Sequence, residues 1–141
     1  MIAGCLAACQ TAGVSFQNAA LSSRDTARPI AGLLKKPDGP GPFPAVVILH
    51  TCGGVQPHVS YDWPQYLSGL GYVTLTVDSF GARGLGPCPN TLHATPPLTN
   101  AYREMTRDAY WALYHLARQP YVRADRVAVV EIGRASCRER V

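Results

Sequence analysis

Three short apolar runs constrain this chain more than any other feature. Residues 45–49 read AVVIL, residues 72–77 read YVTLTV and residues 126–130 read RVAVV. β-Branched side chains suit the pleated backbone. AVVIL is unbroken, which suits a strand covered on both faces, as in a parallel sheet. Helical patterns separate the runs. Residues 61–70 predict a short helix that ends at Gly71. The strongest periodicity lies in residues 102–118, where Tyr102, Met105, Ala109, Ala112, Leu113 and Leu116 recur at steps of three and four. Arg103, Arg107 and Arg118 lie off that stripe and are expected in solvent. Pro120 ends the helix.

Upstream, residues 14–16 predict a short edge strand and residues 27–36 a second strand. The turn PDGPGPFP at residues 37–44 bars helix on either side. Strand, helix, strand, long loop, helix, strand is the order of a mainly parallel, doubly wound α/β fold. With 141 residues there is room for one such domain.

Composition narrows the function. An apolar fraction of 47% with 16% charged residues belongs to a globular chain. The net charge of +4 is scattered, without a basic cluster, which argues against a nucleic-acid partner. No apolar run approaches the roughly 18 residues of a membrane span. The five cysteines include no CxxC and no Cys/His pair at zinc-finger spacing, so no metal is expected. Cys52 and Cys88 are expected either as a disulfide in an oxidising compartment or as two separately buried thiols. At the N-terminus, residues 1–13 are expected to be a leader or the remnant of a signal. The tetrads ending in Cys5 and Cys9 resemble the lipobox of bacterial lipoproteins, yet no basic or strongly apolar segment precedes them. Periplasmic or lipid-anchored export and a cytoplasmic location both stay open.

In parallel α/β sheets ligands bind beyond the carboxyl ends of the strands. The first such end reads His50-Thr51-Cys52-Gly53-Gly54, either a plain glycine turn or a place where backbone N–H groups face an oxyanion. The second reads Asp78-Ser79-Phe80-Gly81-Ala82-Arg83-Gly84. There Arg83 is either a carboxylate contact or a surface ion pair. GARGLG has its glycines in the wrong order for a dinucleotide fingerprint, so no nicotinamide cofactor is expected.

Taken together, PFPAVVILHTCGG, GYVTLTVDSFGARG and DRVAVV resemble the dienelactone hydrolase family of α/β-hydrolases over residues 14–130. The resemblance implies an α/β-hydrolase fold and an ester or lactone hydrolase with a small-molecule substrate, without metal or organic cofactor. It makes the backbone N–H of Cys52 an oxyanion donor and Arg83 a contact to a carboxylate or polar substrate group. Thr51 stands where the family more often has glycine, and the acidic residue of the strict dienelactone enzymes is missing near that position.

The same resemblance places a nucleophile elbow, G-x-[S/C]-x-G, directly after the strand RVAVV. Residues 131–141 instead read EIGRASCRERV, which resembles one reading frame of a common sequencing adapter. This tail is expected to be non-native, and its Ser136 and Cys137 to be decoys. Nucleophile, acid and base would all follow the strand, so the fold is expected to be truncated and the chain inactive. Ser79, His93 and His115 are not expected to substitute for them. Two other readings remain, a non-catalytic α/β module that holds an acidic ligand at Arg83 and an inert fragment.

Overall fold

The computed structural model describes residues 11–19, 26–87 and 96–132, with residues 96–102 described through their backbone only. Cys5, Cys9, Cys88, His93, Ser136, Cys137 and most of the C-terminal tail therefore lie outside the described residues.

Among the described residues, five strands form one sheet in the order β1-β2-β4-β3-β5. They are β1 (Thr11–Gln17), β2 (Pro29–Lys35), β3 (Phe43–His50), β4 (Val73–Asp78) and β5 (Val122–Ile132). β3 runs parallel to both β4 and β5, whereas β1 and β2 form an antiparallel pair at one edge, with β2 antiparallel to β4. The three apolar runs are thus the three parallel strands, and the weaker upstream signals form the antiparallel edge.

β3 and β4 are buried on both faces, and β5 is exposed over much of its length. Ala45, Val47, Val73, Leu75 and Val77 pack in one cluster with Ala112 and Leu116 of α2 (Pro96–Ala117). Val46 and Ile48 point the other way, against Val59 and Leu67, where a π-turn (His58–Asp62) leads into α1 (Trp63–Gly69). Alternate residues of one strand therefore enter different cores. Thr74 and Thr76 are buried polar residues on one face of β4, and the Thr76 hydroxyl donates to the Val59 carbonyl at 3.0 Å.

Several boundaries move outward from the sequence reading. β1 opens at Thr11 and pairs it with Lys35, so the last three residues of the expected leader are part of the sheet. α2 starts at Pro96, well before the expected Tyr102, because proline is tolerated in a first turn whose N–H groups have no helical partner. β5 begins at Val122, passes a register shift opposite residues 43–45, and runs on through Glu131 and Ile132, which pair with Leu49 and His50. Arg107 corrects the expectation of a solvated arginine. It is 4% exposed, with its guanidinium donating to Glu104 and to the Thr26 carbonyl. Arg103 is exposed as expected.

Gly32 shows how closely β2 lies against the core. A Cβ there would meet Leu75 Cδ1 and the Thr76 carbonyl oxygen, each at 2.8 Å. The carbonyl belongs to the neighbouring strand and cannot swing away. Gly32→Ala is expected to lower stability by about 1–3 kcal/mol, read as an earlier urea midpoint with an unchanged slope.

Candidate active site

The parallel strands β3 and β4 end at His50 and Asp78, and β5 pairs Ile132 with His50, so three strand ends meet along one rim of the sheet. His50 is fully buried. Its Nδ1 donates to the Thr51 carbonyl at 2.7 Å, because a carbonyl can only accept, and its buried Nε2 has no partner among the described residues. Its ring lies edge-on to Phe80 at 4.6 Å. Burial pushes the imidazole below its ordinary pKa, outweighing the Thr51 bond and the charges of Asp78 and Asp108. His50 is thus a packed anchor of the loop, in agreement with the plainer reading of that residue.

After His50 the chain turns sharply. The Gly54 N–H donates to the Thr51 carbonyl at 2.9 Å, and Gly54 adopts φ +71°, a conformation costly for other residues. Gln56 Nε2 pins the turn by donating to the Gly53 carbonyl at 2.7 Å. Cys52 sits inside this turn, with its sulfur in a disulfide whose partner lies outside the described residues. Cys52 packs against Phe80 and Met105, which joins the loop after β3 to the loop after β4 and to α2.

The loop after β4 is built around three carboxylates, those of Asp78, Glu104 and Asp108. Asp78 Oδ1 accepts the Gly81 N–H at 2.8 Å, and a short 3₁₀ turn (Gly81–Arg83) follows. Arg83 folds back into the protein with its side chain 8% exposed. It donates to Asp108 Oδ2 at 2.7 Å, to Asp108 Oδ1 at 3.2 Å, to Glu104 Oε2 at 2.9 Å and to the Ser79 carbonyl at 2.6 Å. Burial alone would lower the Arg83 pKa, and the bonds to Asp108 and Glu104 more than offset it, so the guanidinium is held firmly charged. The carboxylates that this fork meets are the chain's own.

Asn18 completes the network. Its Nδ2 donates to Asp108 Oδ1 at 2.7 Å, and its Oδ1 accepts the Arg28 N–H at 2.8 Å, while Arg28 Nη1 donates to the Ala82 carbonyl at 3.0 Å. Asp108, Glu104, Asn18 and Phe80 escaped the sequence reading. Asp108 did leave a signal, since it falls at the i+3 position from Met105 and four before Ala112, on the apolar stripe. A charged residue there requires a buried partner.

The sequence-derived candidates are only partly brought together. Cys52 and the Arg83 loop share the wall formed by Phe80. Ser79 is buried, its hydroxyl without a partner among the described residues, and His115 stacks on Phe16 of β1 at 5.6 Å. Among the described residues, no group of three or more His, Cys, Asp or Glu side chains could hold a metal ion. No helix among them is long and apolar enough to cross a membrane.

A parallel sheet with an antiparallel edge, helices on both faces and a glycine turn after the first parallel strand defines an α/β-hydrolase fold. The profile of the dienelactone hydrolase family matches residues 30–132, and the chain belongs to that family. Among solved structures it resembles a dienelactone hydrolase-like promiscuous phosphotriesterase from metagenomic libraries, with 21% identity and a TM-score of 0.64 over 86% of this chain and 49% of that one. It also resembles a dienelactone hydrolase candidate from Klebsiella pneumoniae (20% identity, TM-score 0.57, 86% and 50% covered) and the esterase Est22 (13%, 0.60, 89% and 35% covered). At these identities the likeness is one of fold, and the chain spans half or less of each relative's length. No curated protein matches the chain.

Two outcomes follow from the site chemistry. Asp108→Ala is expected to cost up to about 3–5 kcal/mol by leaving the buried Arg83 guanidinium with Glu104 as its remaining carboxylate, and Asp108→Asn clearly less, measured by chemical denaturation. His50 and His115 both have folded-state pKa values lowered by burial. The unfolded chain therefore binds more protons once pH falls below about 6.5. Stability should be full above that pH and decline as pH falls from there through the folded values, and His50→Gln should make the decline shallower in a urea-midpoint series.

Proposed function

We propose that this chain is the N-terminal part of an ester or lactone hydrolase of the dienelactone hydrolase type, and that the 141-residue chain by itself turns over no ester. The observation that carries this reading is the turn after β3, pinned by His50, Gly54 and Gln56 at the carboxyl end of a buried parallel strand. Such a turn supplies an N–H from Cys52 to a developing oxyanion without reorganisation during the reaction. The second donor and the attacking Ser or Cys would come from an elbow directly after residue 130, in place of the tail at residues 131–141, whose first two residues extend β5 in this chain. Acid and base would follow that elbow. The partner is a small-molecule ester or lactone, and neither metal nor organic cofactor takes part.

Arg83 in this reading shapes the wall of the substrate pocket. Its fork is already engaged with Asp108 and Glu104. A direct bond to an acidic substrate group would require the quarter-exposed Glu104 to yield one position. The module that merely holds an acidic ligand is less well supported, because it leaves the constrained turn at Cys52 without a role.

The test has two parts. Genomic sequence across codon 130 should continue as Gly-x-Ser/Cys-x-Gly. A natural gene that encodes EIGRASCRERV would sink the proposal. The purified 141-residue chain should hydrolyse p-nitrophenyl acetate no faster than buffer. Turnover abolished by a serine- or cysteine-directed inhibitor would equally overturn it.

A further inference from the structure

Trp111, Tyr114, His115 and Arg118 recur at steps of three and four, so they form a stripe of their own on α2 beside the core-facing one. The strand-end site does not use this stripe. Trp111 and Tyr114 meet edge to face at 5.4 Å and 81°. Phe16, from β1, stacks on the His115 ring at 5.6 Å and 29°. With Gln119 and Arg118 these side chains bound a cavity of about 330 Å³ at the β1 edge of the sheet. That volume lies at the small end of the roughly 300–1,000 Å³ typical of ligand pockets.

The polar chemistry of the cavity is one-sided. Arg118 Nη1 donates to the Tyr114 hydroxyl at 2.8 Å, and the guanidinium lies over the Tyr114 ring at 5.2 Å. Among the described residues no carboxylate pairs with Arg118, and none lines the cavity. Tyr114 therefore orients the guanidinium and leaves its other edge open. A planar fork of this kind matches a carboxylate in two parallel bonds. Flat aromatic walls beside it accept a ring by stacking or edge contact.

We propose that this cavity binds a small aromatic carboxylate of one or two rings, separately from the hydrolase site. The ring lies among Trp111, Tyr114 and the Phe16–His115 stack, and the carboxylate meets the open edge of Arg118. None of the residues at the ends of β3 and β4 takes part.

Ligand-observed NMR titration of the full chain with benzoate, benzamide and acetate tests the assignment. Benzoate should bind saturably, benzamide about tenfold more weakly for lack of the charge-assisted bond, and acetate not measurably. Arg118→Gln should bring benzoate down to the benzamide level and leave benzamide unchanged, while Trp111→Ala should weaken both. Absence of saturable benzoate binding would overturn the proposal. So would equal affinity for benzoate and benzamide, or benzoate binding that Arg118→Gln leaves intact.

Discussion

The carboxylate of Asp108 is fully buried in the middle of α2, and the segment after β1 and the loop after β4 both bond to it. A charge taken out of water costs several kcal/mol unless a partner and hydrogen bonds compensate. Here the compensation comes from Arg83 and from Asn18. Residues 18, 83 and 108 lie on β1's exit, on the loop after β4 and on α2, so one electrostatic requirement joins three distant segments. Arg28 and Arg107 extend the network to the start of β2 and to Glu104. The loop that carries Arg83 therefore takes its shape from the docked helix.

That same docking gives the rim of the sheet a continuous wall. Phe80, held between Ser79 and the 3₁₀ turn, contacts His50 on one side and packs with Met105 and Cys52. The turn after β3 thus leans on the loop after β4, although α1 separates them in sequence. Backbone donors at a strand end act on a substrate only if their direction is fixed in advance. His50, Gln56 and Gly54 supply that fixity from within the loop, and Phe80 supplies it from outside. The family match and the half-length overlap with solved hydrolases agree with a chain that carries this part of an α/β-hydrolase.

The parallel strands β3 and β4 are buried on both faces, whereas β5, at the sheet edge, keeps Ala128 and Val129 exposed. AVVIL announces itself as an unbroken apolar run, while YVTLTV and RVAVV were legible from their β-branched residues. The helix over residues 102–118 was legible from its period, yet its first turn at Pro96 was not, because prolines there look the same as prolines in a loop. Arg107 was misjudged for a related reason. Its position off the apolar stripe says nothing of the polar pocket that Glu104 and Thr26 build above that stripe.

At the site the division is sharper. Local sequence determined where the turns after β3 and β4 fall, since Gly53-Gly54 and the cap from Asp78 to Gly81 act within a few residues. It also determined the candidates Cys52 and Arg83. Only the tertiary structure decided that Arg83 turns inward to Asp108 and Glu104, and that Phe80 joins the two loops. Backbone propensity and turn chemistry are short-range and can be read along the chain. A buried charge, by contrast, chooses its partner by distance in space, which exists only once β1, β4 and α2 have come together.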